Sequence, residues 1–111
     1  MSEEELIRYA AKAVGYTLVD HYDVSYRYWP WCNEIGDYWC PVAMNGDALR
    51  LLVDLRLEPR FIDMDNLYSP PRIAFHNISD FIQLVDDDVE AAMRLAITKA
   101  AAEIGKAKEN V

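Results

Sequence analysis

Trp39-Cys40-Pro41-Val42-Ala43-Met44-Asn45-Gly46-Asp47-Ala48-Leu49-Arg50-Leu51-Leu52-Val53-Asp54-Leu55 is the stretch on which the fold turns. Aromatic residues of strand character run into Pro41, which removes a donor and holds Cys40 extended. Asn45-Gly46-Asp47 supplies turn and cap chemistry. Either Asn45 or Asp47 can serve as N-cap; Asp47, directly before the apolar run, is preferred. A helix then runs to about residue 57. Leu49, Leu52, Val53 and Leu57 are expected to face inward, with Arg50 and Asp54 as an exposed i,i+4 pair. Glu58-Pro59 ends it.

Upstream, residues 2–14 read as a helix. Ser2 and Glu5 form a capping-box pattern, three glutamates sit at the positive helix end, and Gly15 permits the left-handed closure. Residues 16–31 are rich in Tyr, Val and Trp and read as strand, with Val24, Tyr26 and Tyr28 on one face and Ser25, Arg27 and Trp29 on the other. Pro30 places the end of that strand, or a sheet edge, at Trp29-Pro30-Trp31. Residues 33–37 read as a turn and 38–40 as the returning strand.

Downstream, residues 60–64 and 72–76 read as a hairpin, joined by a loop that contains Pro70 and Pro71. No period dominates over 77–85, which is read as loop. Residues 86–108 form the longest helix, with an apolar stripe of Val89, Met93, Ala96, Ile97, Ala100 and Ile104. Asp86, Asp87, Asp88 and Glu90 lie at its start and Lys106 and Lys108 at its end, the order the helix dipole favours. The expected fold is α+β: an α-β-α layered sandwich, with a mostly antiparallel sheet of four to five strands and three helices, as one domain over 1–111.

The totals restrict function more than they specify it. The chain has 111 residues, 52% of them apolar, enough for a core without disulfides. Nineteen acidic residues against 11 Lys and Arg leave a net charge of −8. That charge repels phosphate backbones and disfavours direct nucleic-acid binding, while it steers basic partners inward. No apolar run approaches the roughly 20 residues of a membrane span. The acidic N-terminus is unlike a signal peptide, so the cytoplasm is expected, with Cys32 and Cys40 as free thiols.

Candidate chemistry is sparse. Asp20-His21-Tyr22-Asp23 is the only place where a histidine has carboxylates close by, and His76 lies far away in sequence. Cys32 and Cys40 match no zinc spacing and no nucleophile signature, and no phosphate-cradling pattern occurs. The Asp86-Asp87-Asp88 run is explained by its helix N-terminus. No catalytic residue, metal or cofactor is expected. The rings of Tyr22, Tyr26, Tyr28, Trp29, Trp31, Tyr38 and Trp39 are the most informative feature, divided between core and an interface. Tyr26, Tyr28, Trp29, Trp31, Asp23 and Glu34 are the candidate partner-binding residues.

Three blocks carry a resemblance: Leu6-Ile7-Arg8-Tyr9-Ala10-Ala11-Lys12-Ala13-Val14-Gly15, Tyr38-Trp39-Cys40-Pro41-Val42 with Asn45-Gly46-Asp47-Ala48-Leu49-Arg50-Leu51, and residues 91–106. Together they cover about half the chain, and it resembles the phage ABA-sandwich domain family. Cys40 stands where the family pattern has asparagine before the proline. The resemblance implies an α-β-α sandwich and a phage or prophage origin, hence a host cytoplasm, and carries over no site residue. The expectation is a non-enzymatic accessory protein that binds a protein partner, including a basic host protein such as a host factor or defence nuclease that it would inhibit. The alternative is a small enzyme or ligand-binding module with a site between the 16–40 hairpin and the 47–57 helix. A self-assembling structural protein is the third class. Oligomeric state is not legible.

Overall fold

The computed structural model describes residues 1–62, 72–77, 82–83 and 88–109. Helix α1 spans Glu3–Val14. The expected capping box is formed: Ser2 Oγ accepts the Glu5 amide at 3.2 Å and Glu5 Oε1 accepts the Ser2 amide at 3.4 Å. Gly15, at φ 78°, closes the helix, and the Tyr16 amide reaches back to the Ala11 carbonyl at 2.9 Å. Leu6, Ile7, Ala10, Ala11 and Ala13 form its buried face.

The described strands form two small antiparallel sheets rather than one sheet of four to five strands. The first holds β1 (Leu18–Val19), β2 (Trp31–Cys32) and β3 (Asp37–Tyr38), in that order. The second holds β4 (Pro59–Ile62), β5 (Arg72–Phe75) and β6 (Ile82–Gln83). The expected hairpin is therefore present, with Phe61 opposite Ile73, and the expected loop over 77–85 contains a short third strand. Met64, the proline loop at 66–71 and Asp86 and Asp87 lie outside the described residues.

Residues 16–31 are not one strand. A single bridge joins Tyr22 to Tyr28, and a tight turn lies between them. Asp23 makes the turn, since its Oδ1 accepts the amides of both Ser25 and Arg27 at 2.9 Å. The alternation expected for Val24, Tyr26 and Tyr28 is lost there, and Tyr26 takes a left-handed φ of 62°.

Helix α2 spans Asn45–Asp54, three residues earlier than an Asp47 cap implied. Met44 is the N-cap, with no side-chain hydrogen bond. Asp47 instead accepts the Cys40 amide at 2.9 Å, so its carboxylate fastens the strand end rather than the helix start. The inward face differs too. Ala48 and Leu51 are buried, whereas Leu49 and Val53 are 58% and 62% exposed. Leu57 is buried as expected, but beyond the helix, after a left-handed Arg56 at φ 51°.

Helix α3 spans Val89–Glu109, and the Ala91 amide donates to Asp88 Oδ1 at 3.0 Å. Its buried surface is broader than a stripe. Ala96, Ile97 and Ala100 are joined by Ala92, Thr98, Ala101, Ala102 and Gly105, while Val89 is exposed. The small residues allow α1 to approach closely, and Arg94 ties α3 to the opening stretch through the Val42 carbonyl and Asn45 Oδ1 at 3.1 and 2.7 Å. One apolar cluster, including Ile7, Trp39, Leu51, Ile73, Phe75 and Ala96, joins the three helices and both sheets.

Candidate functional site

The 20–28 segment is anchored by charge. Arg8 on α1 bonds Glu4 and Asp20, at 3.1 and 3.2 Å, and lies 4.9 Å over the Tyr28 ring. The Tyr22 hydroxyl donates to Glu4 and the Tyr28 hydroxyl to Asp20, at 2.6 and 2.8 Å. These bonds hold both carboxyls below the usual carboxylate range, the tyrosine hydroxyl first in each case and Arg8 second. Arg27 adds a 2.8 Å pair with Glu3. With its root fixed in this way, the turn projects Val24 and Tyr26, at 99% and 88% exposure.

Beside that turn lies an open cleft of about 430 Å³, lined by His21, Asp23, Trp29, Asp37, Tyr38, Met44 and Asp47. It sits between the β2–β3 hairpin and the start of α2. Three carboxylates reach it from three separate elements, each with one oxygen bound to backbone. Asp23 uses Oδ1 as described, Asp37 Oδ1 accepts the Tyr38 amide at 2.7 Å, and Asp47 Oδ2 accepts the Cys40 amide. No lysine or arginine lines it. Burial raises the Asp47 carboxyl above its ordinary range; the Cys40 amide and Arg50 oppose that, and Asp37 adds to it.

The walls are aromatic. His21 and Tyr38 have ring centroids 4.6 Å apart, and Trp31 meets Tyr38 edge-on at 5.3 Å. His21 Nδ1 lies 3.1 Å from the Trp29 carbonyl. A carbonyl only accepts, so Nδ1 carries the hydrogen of that bond.

The six candidate partner-binding residues separate. Tyr26 is at the exposed tip. Asp23 and Trp29 line the cleft, and Trp31 supports Tyr38 from behind. Tyr28 is 4% exposed and belongs to the core, which removes it from any docking surface. Glu34 is spent on the fold: its carboxylate accepts the Thr17 amide, and that bond lowers its pKa. His21 and Tyr38, singled out in the sequence only as a histidine near carboxylates and one of seven rings, also line the cleft; Asp37, Met44 and Asp47 complete it and were not legible as site residues, because the first and last had a sufficient reading as turn and cap and Met44 carried no signal.

Other candidates carry less chemistry. Both cysteines are buried, and burial pushes the Cys40 thiol up to about 11, so it is protonated and a poor nucleophile near neutral pH. Among the described residues no group of three or more His, Cys, Asp or Glu is placed to hold a metal ion. A second concavity at Arg8, Tyr9, Lys12, Tyr16 and Glu109 has its cations already committed, Arg8 as above and Lys12 to Glu109. No helix among the described residues is long and apolar enough to cross a membrane. Comparison with protein-family models, curated proteins and solved structures finds no match to the chain.

Proposed function

We propose that this chain is a non-enzymatic accessory protein that docks on a basic surface of another protein. The observation that carries this reading is the 23–27 turn. It holds Val24 and Tyr26 almost fully in solvent on a backbone pinned by Asp23, beside a cleft whose charged groups are acidic. Exposed apolar side chains on a pre-ordered turn lose little freedom on binding, which is how a small contact becomes an anchor. The net charge of −8 supports the choice of a basic partner. Phage or prophage origin, the host cytoplasm and a layered α-β-α arrangement with both small sheets in the middle layer belong to the same proposal. Inhibition of a host factor or defence nuclease would follow if the basic surface is a working groove.

Tagged protein used to capture partners from host lysate tests this. The wild type is expected to retain a stoichiometric basic protein, and Val24→Ser with Tyr26→Ala to weaken capture by about tenfold or more. Both positions are exposed, so the fold is retained. Absence of any stoichiometric partner, or undiminished capture by the double variant, sinks the reading. A second reading, a small-molecule site, is supported by the place of the cleft and by His21 within it. It requires turnover or binding of a small compound that is lost in His21→Ala.

A further inference from the structure

We propose that the cleft beside the 23–27 turn receives the guanidinium of a single arginine side chain supplied by the partner. This rests on the reading that the protein docks on a basic surface, and it names the group that the surface inserts.

Each part of the cleft suits that group. Asp23, Asp37 and Asp47 arrive from a turn, a strand and a helix, and backbone amides fix one oxygen of each. They are not gathered closely enough, among the described residues, to form a metal site. A compact ion could not serve three separated carboxylates. A guanidinium can serve such an arrangement, because its five N–H donors point outward in a plane. Trp29 and Tyr38 line the cleft with aromatic surface, which a guanidinium tolerates better than a strongly hydrated ammonium does, and Met44 offers contact to the aliphatic stem. The His21 ring, with Nδ1 turned to the Trp29 carbonyl, forms a further polar edge of the cleft. A lysine ammonium would satisfy charge but would use neither the fork geometry nor the aromatic surface. About 430 Å³, open to solvent, admits one long side chain still attached to its own backbone. The Asp37 charge adds to the upward shift of the Asp47 carboxyl, so the two carboxylates act on one another across the cleft and both favour a cation there.

The test is an NMR titration of the full chain with Nα-acetyl-arginine methylamide, run beside the lysine analogue. Saturable shifts are expected at the amides of Asp23, Tyr38, Cys40 and Asp47, with lysine about tenfold weaker. Asp37→Asn, an exposed substitution, is expected to weaken arginine binding about tenfold as well. Equal response to lysine, shifts centred elsewhere, or no saturable shift overturns the assignment. Lysate capture that depends on Tyr26 while arginine fails here would overturn this inference and leave partner docking standing. Loss of both would remove both.

Discussion

Asp47 shows how one carboxylate can be read correctly as structural and placed in the wrong role. In sequence it stands where an N-cap stands. In the fold it holds the Cys40 amide and half-buries itself in the cleft wall. Its raised pKa means that the folded state binds this proton more tightly than the unfolded state does. Stability from this group is full below the unfolded-state pKa, about 3.9, and is lost as pH rises through the higher folded-state value. Asp47→Asn keeps an oxygen acceptor and removes the charge. It is expected to be more stable than wild type near neutral pH, with the difference in Tm closing as the solution is acidified. Asp47→Ala leaves the Cys40 amide without its acceptor and is expected to cost about 1–3 kcal/mol in urea denaturation. Tyr26 is the other residue-scale surprise. Its left-handed φ places it at a turn apex, a position that strand propensity alone does not anticipate.

At the scale of elements, α1 was readable almost to the residue, because its start and stop are written in local chemistry: Ser2, Glu5 and Gly15 act within a few bonds of themselves. α2 was readable as a helix and misread in phase. Ala48, Leu49, Leu51, Leu52, Val53 and Leu55 surround most of a ten-residue helix, so several faces could have been buried. Packing on α3 and the core selected Ala48 and Leu51. Leu49→Ser is therefore expected to change stability by no more than about 0.5 kcal/mol, whereas Leu51→Ala costs about 2–5 kcal/mol. Equilibrium denaturation of the two variants separates this arrangement from the phase that put Leu49 inside. The cleft inherits the same limit: Met44 and Asp47 line it because of where α2 begins, which is three residues from where the cap signal pointed.

Across the whole molecule, the two ends of the chain are joined by α1 and α3. Lys108 Nζ donates to the Ala13 carbonyl at 2.7 Å, and Gly105 lies against the backbone of α1. A Cβ at Gly105 would fall on the Tyr9 carbonyl oxygen. Alanine is the better helix former by about 1 kcal/mol, so a free helix would be stabilised by Gly105→Ala. The steric conflict is with backbone, which cannot swing aside as a side chain can. The net expectation is destabilisation by about 1–3 kcal/mol or more, measured as a lowered urea midpoint with little change in slope. A neutral or stabilising result would mean that the helices stand further apart.

The sequence by itself determined the three helices, the antiparallel character of the strands, the pairing of the 60–64 and 72–76 segments and the acidic balance. These depend on neighbours within a turn or two, or on totals. The tertiary structure alone decided the division into two sheets, the turn hidden in 16–31, the burial of Tyr28 and the phase of α2. It alone brought Asp23, Asp37 and Asp47 around Trp29 and Tyr38. A residue's periodicity says that it prefers burial or a pleated surface, but the identity of the covering element is set by packing between distant segments. The opening stretch from Trp39 to Leu55 stands at that boundary: its elements are local facts, while the use of its Asp47 and Met44 as cleft walls is a long-range one.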